Sequence, residues 1–125
     1  MYFNSKVVAV CFTLLISFPT LALAKVVDLT CNVFFALEKG RDHIFEFHLD
    51  LDQKTHVFWY RGHAYEVIYK FWADDMTVTN TEVVLSGGME TDAQLSKIVI
   101  NRTTLGFYAE TAGSPPVPAA GSCEL

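Results

Sequence analysis

Positive charge is scarce in this chain. Nine lysines and arginines stand against fourteen aspartates and glutamates, a formal net charge of −5, which excludes the basic footprint that nucleic-acid binding requires. Charged residues of both signs reach only 18% against 51% apolar, which excludes a disordered chain. Helical periodicity is nearly absent after residue 25, which argues against helical layers. The catalytic signatures G-x-S-x-G, H-E-x-x-H and the P-loop are missing, and no glycine-rich segment sits between a strand and a helix. Cysteines number three, too few for a zinc-type thiolate cluster. The expectation is therefore one small non-enzymatic domain with no cofactor and no metal.

What is present begins with an export pattern. Lys6 gives a short basic start, residues 7–18 form a continuous apolar run, and Pro19 breaks it. Ala22 and Ala24 then supply the small residues that a signal peptidase needs. Cleavage is expected after Ala24, with 1–24 as the leader. An uncleaved anchor needs about twenty apolar residues, and this run is interrupted by Thr13, Ser17, Pro19 and Thr20. A lipoprotein signal would place a Cys at the end of the run, whereas Cys11 lies inside it. The 125 residues less these 24 leave 101, with eight basic and fourteen acidic side chains, net −6. Cys31 and Cys123 remain, and in an oxidising compartment such a pair reads as one disulfide. The expected location is periplasmic or secreted, with no membrane contact after cleavage.

Short β-branched and aromatic runs alternate with turn residues every eight to twelve positions, the spacing of an all-β chain. Strands are expected at 26–37, 44–52, 55–60, 63–72, 76–80, 82–86, 95–102 and 105–110. About eight sequential antiparallel strands manage their edges most simply by closing. The fold expected over 25–112 is thus a small barrel or strongly curled sheet, with a β-sandwich as the alternative. The prolines at 115, 116 and 118 lack ladder donors. Residues 113–125 are accordingly expected as an extended surface strap pinned at Cys123.

In 44–52, Phe45, Phe47, Leu49 and Leu51 alternate with Glu46, His48, Asp50 and Asp52, the period of a half-buried strand. A two-residue turn at Gln53-Lys54 would set Asp50 against Val57, His48 against Trp59 and Glu46 against Arg61. A second turn at Arg61-Gly62 would set Trp59 against Ala64. Both turns put Phe45, Phe47, Leu49, Phe58, Tyr60, Tyr65, Val67, Tyr69 and Phe71 inside. Both leave Glu46, His48, Val57, Trp59, Arg61, Glu66, Ile68, Lys70 and Trp72 outside. Val27, Leu29, Cys31, Val33, Phe35 and Leu37 share the inner face of the first strand. That many inner aromatics argue for a filled interior rather than a ligand cavity.

Trp59 and Trp72, pointing outward beside Val57 and Ile68, mark a contact surface. An equal reading is that the tail strap or another chain segment covers them. His48 between Glu46 and Asp50 could ligate a metal, but a solvated strand face commonly looks like this. His43, His56 and His63 fall at strand ends, where structural roles are expected. Asp50-Leu51-Asp52 resembles the start of a calcium loop that lacks the glycine and terminal glutamate. Asn101-Arg102-Thr103 matches the N-glycosylation sequon, relevant only in a eukaryotic source.

The segment from Ile98 to Gly106, with Gly121-Ser122-Cys123 and Cys31, resembles small exported proteobacterial proteins. These carry I-x-I-[DN]-R-x-[ST]-G before a final G-x-C and a Cys near the mature start. Here Leu105 separates Thr104 from Gly106. The resemblance implies periplasmic location and the disulfide, and no activity. A looser architectural likeness is to periplasmic lysozyme inhibitors, which are small disulfide-tied barrels. The function expected is a binding module that uses Trp59, Trp72, His48, Glu46 and Arg61 to contact an unidentified protein or glycan. The acidic charge favours a basic partner, a lysozyme-like enzyme included. The alternatives are a barrel holding a small apolar ligand and a hydrolase with an unrecognised site.

Overall fold

A computed structural model describes residues 25–36, 43–61, 68–91 and 94–125. The expected leader, His63, Tyr65, Glu66, Val67 and Leu37 lie outside the described residues, and Ile68 and Tyr69 are described by their backbone alone. The described residues form nine strands: β1 Val26–Phe35, β2 His43–Asp50, β3 Thr55–Arg61, β4 Ile68–Phe71, β5 Asp75–Val78, β6 Glu82–Ser86, β7 Leu95–Asn101, β8 Gly106–Thr111 and β9 Pro118–Glu124. They build one strongly curled half-barrel sheet in the order β4-β3-β2-β1-β9-β8-β7-β6-β5. A single curled sheet sets aside the two-sheet sandwich. Each of the eight expected strands has a counterpart, the fourth described only from Ile68 onward, and β9 is added.

Alternation explains which residues go inside. β1 buries Val27, Leu29, Cys31, Val33 and Phe35 and exposes the residues between them. Phe45, Phe47, Phe58, Tyr60 and Phe107 fill the concave side with ring centroids 5.0 to 6.3 Å apart, and Phe71 packs on Phe58 at 5.8 Å. At the rim, buried His43 meets the Tyr60 hydroxyl through Nδ1 at 2.5 Å and stacks on its ring, the structural role expected of it.

The register differs from expectation while the faces do not. Asp50 pairs with Thr55, not Val57, and Glu46 with Trp59, not Arg61. The turn spans 51–54 because Asp50 Oδ1 accepts the amides of Asp52 and Gln53 and Lys54 takes a left-handed φ of 56°. Trp59 pairs with Lys70 rather than Ala64. The shifts are two and six residues, both even, so inner residues stay inner.

The strap is corrected too. Residues 118–124 are not laid over the surface but form β9 between β1 and β8. Pro118 takes the first strand position, where a missing ladder donor is tolerated. Cys123 lies directly opposite Cys31, with the sulfurs 2.01 Å apart. Gly121 faces Val33, and a Cβ there would run into the Asn32 carbonyl of β1. Only glycine permits so close an approach.

Residues 98–106 carry β7 through a turn into β8. Ile98 and Ile100 are buried. Asn101 Oδ1 accepts the amides of Thr103 and Thr104, both at 2.8 Å, an Asx-type turn cap. The Arg102 amide and guanidinium bond the Thr81 and Thr79 carbonyls. Leu105 takes a left-handed φ of 61° directly before β8.

The two edge strands are consecutive in sequence, joined only by 72–74. Because every neighbouring pair is antiparallel, β4 and β5 run the same way. Four Cα steps reach about 14 Å at full stretch, so the sheet must curl until its ends approach. The β3–β4 register extended by two residues sets Ala73 opposite His56, and the Ala73 amide does bond His56 Nε2 at 2.9 Å. The β5–β6 register extended by one sets Asp74 opposite Gly87, and the Asp74 amide bonds the Gly87 carbonyl at 2.9 Å. Residues 68–78 thus act as one bent strand that changes partner between Ala73 and Asp74.

Two outcomes follow from the β1–β9 seam. Reducing the disulfide, which links residues 92 apart, is expected to lower unfolding free energy by about 4–5 kcal/mol on the chain-entropy account, read from urea curves of oxidised and reduced protein. Gly121→Ala, made in oxidised protein, is expected to cost about 1–3 kcal/mol because backbone rather than a side chain must yield. An unchanged midpoint would mean that the two strands do not meet so closely.

Candidate functional site

The convex face of β2, β3 and β4 gathers the sequence-expected residues. Alternation sends Glu46 and His48 outward from β2, Trp59 and Arg61 from β3, and Lys70 from β4, with Trp72 one residue beyond. Glu46, Trp59 and Lys70 lie side by side in one transverse row. Trp72 is 57% exposed, and Trp59 is half-buried. The tail does not cover them, since β9 lies on the far side of β1 and β2.

The Glu46–Arg61 pair forms although the expected pairing does not. Arg61 lies opposite Ile44 and reaches diagonally to Glu46, with Nη2 3.0 Å from Oε1 and both side chains half-buried. His48 stands apart from this cluster. Its Nδ1 lies 2.6 Å from Asp28 Oδ1 on the adjacent strand, an exposed contact of little energetic weight. Asp50 is engaged in its turn. Among the described residues no group of three His, Cys, Asp or Glu side chains gathers as metal ligands.

Sequence reasoning passed over Lys70 as a site residue. Its ammonium lies 5.3 Å from the Trp72 ring centroid and 6.0 Å from that of Trp59, within cation–π range of both. The clue was present in the alternation Trp59/Lys70/Trp72, but it needed the true register to become a contact.

Behind this face lies His56. Burial pushes its imidazole below the ordinary range. Nε2 accepts the Ala73 amide, so the ring proton sits on Nδ1, a buried atom without a partner among the described residues. The residue that His56 holds directly follows Trp72, so this bond fixes where the exposed indole leaves the sheet.

Elsewhere on the convex side, Phe34 is 54% exposed and Tyr108 39%. The Tyr108 hydroxyl donates to Glu110 Oε1 at 3.0 Å, and this bond raises the phenol's pKa. At one end of the sheet an open cleft of about 520 Å³ is lined by Gly88, Met89, Glu90, Thr91, Gln94 and Ala112, among others. The Gln94 amide and carbonyl there are bonded to Thr91 and Ala112. No family model matches the chain, and no curated protein or solved structure matches it either.

His56 gives a pH dependence whose sign is fixed. Its folded pKa lies below the unfolded value of about 6.5, so the unfolded chain binds the proton more readily. The stability due to His56 is full above that value and is lost as pH falls from it toward the lowered folded pKa. Urea midpoints at pH 7.5 and 5.5 are expected to differ more for wild type than for His56→Gln. Equal differences would remove His56 from the pH response.

Proposed function

We propose that this protein is an exported, non-enzymatic binding protein, periplasmic or secreted, that meets its partner with the convex β2–β4 face. The observation that carries the reading is Trp72, exposed at the end of β4 on the convex face beside Trp59 and Lys70. A large indole left in water on a rigid scaffold is costly to keep unless something covers it, and such residues dominate contact energies. Glu46 and Arg61 complete a polar rim, and His48 lies at its border. The leader pattern and the Cys31–Cys123 disulfide support an oxidising compartment. The partner is a protein or a glycan.

The aromatic filling of the concave side favours this reading over a small apolar ligand held inside. The lysozyme-inhibitor alternative shares the compartment and the disulfide-tied β architecture, with the molecule's acidic charge as its support.

Affinity capture from a periplasmic or extracellular extract tests the face, using oxidised protein spanning 25–125. Trp72→Ala and Trp59→Ala are expected to reduce recovery of the bound material at least tenfold, the scale of an aromatic anchor. Phe34→Ala, another exposed ring on the same convex side, is expected to leave recovery unchanged. Full recovery by both tryptophan variants would overturn the reading.

A further inference from the structure

We propose that the Trp59–Lys70–Trp72 patch takes an acidic saccharide, with a pyranose face on the exposed indole of Trp72 and the sugar carboxylate on the Lys70 ammonium. The proposal rests on the convex β2–β4 face being the contact surface, and it names what that surface selects.

Charge pairing separates Lys70 from its neighbours. Arg61 is neutralised by Glu46 at 3.0 Å and His48 contacts Asp28 at 2.6 Å. Lys70 has no carboxylate partner among the described residues, and its recorded contacts are the two indoles. Ring faces attract a cation through their quadrupole but satisfy few of its three N–H donors. The ammonium is therefore positioned, charged and still able to donate to an anion.

The same placement rejects cations. A basic group brought to this spot meets like charge. The chain's net −5 favours basic partners at long range, yet at physiological salt exposed charges are screened beyond about 8 Å. Among the described residues, the charge at the patch that lacks an opposite partner is the positive one of Lys70. The surrounding acidity disfavours a long polyanion, so the fit is to a short or terminal acidic sugar.

Shape supports a sugar. The indoles sit on a pleated sheet face rather than in a groove, and Trp72 is 57% exposed. The C–H face of a pyranose carries slight positive charge and lies flat on the negative face of an indole. A ring bearing a carboxylate brings both complements at once.

Calorimetric titration of oxidised protein with trigalacturonate, its methyl ester, a sialylated trisaccharide and a glutamate-rich peptide tests this. Binding of at least one acidic sugar tighter than about 1 mM is expected. For trigalacturonate as the binder the ester is expected to bind at least tenfold more weakly. Lys70→Gln is expected to lose the acidic sugar at least tenfold, with its near-UV spectrum intact. Trp72→Ala is expected to lose binding of acid and ester alike. Neither acidic sugar binding, acid and ester binding equally, Lys70→Gln binding as wild type, or the peptide outcompeting the sugars would each overturn the proposal. The contact surface is judged separately by the capture experiment, because a partner lost on Trp72→Ala keeps that reading even where no acidic sugar binds.

Discussion

The pairing of β1 with β9 is the constraint on which the rest depends. Without it the chain is two meanders, β1–β4 and β5–β9, each with its own raw edge. With it the inner residues of both halves face one another, and Phe107 of β8 can stack on Phe45 of β2 at 5.6 Å. Three features of β9 make the pairing possible. Cys123 stands opposite Cys31, Gly121 lets the two backbones close up, and Ala119 fills its inner position with little volume. A strand of small residues is weak by propensity. Its neighbours on both sides and a covalent tie hold it in place.

The second constraint is arithmetic. Nine strands in strict alternation around a ring would bring β1 and β9 together parallel, yet they are antiparallel. The count is reconciled by the bend at 72–74. There, two short strands share one direction and behave as a single strand that pairs first with β3 and then with β6. This is also how the edges are managed. The β5 edge is only four residues long, a common defence against edge-to-edge association.

How much was legible follows from the same geometry. Faces could be read because period-2 alternation in 44–50 and 55–61 survives any even slip. Pairings could not, because they depend on turn lengths, and the Asp50 cap that lengthens the first turn is a hydrogen-bonding choice that leaves no apolar pattern. β9 was hidden by its composition, Pro-Ala-Ala-Gly-Ser-Cys-Glu, which reads as loop until its central place explains the small side chains. The outward tryptophans were readable from alternation. Lys70 as their shared neighbour was not, since Trp59 meets it only in a register six residues from the expected one.

The bend carries a consequence for observing the molecule. Trp72 sits one residue before the amide that His56 anchors, at the junction between the two halves of the sheet, while Trp59 lies within a strand paired on both sides. The chain's two indoles therefore report on different things. Emission from Trp72 follows the junction and whatever rests on it, and emission from Trp59 follows the sheet as a whole. Replacing either with phenylalanine turns the protein into a single-fluorophore gauge of one or the other.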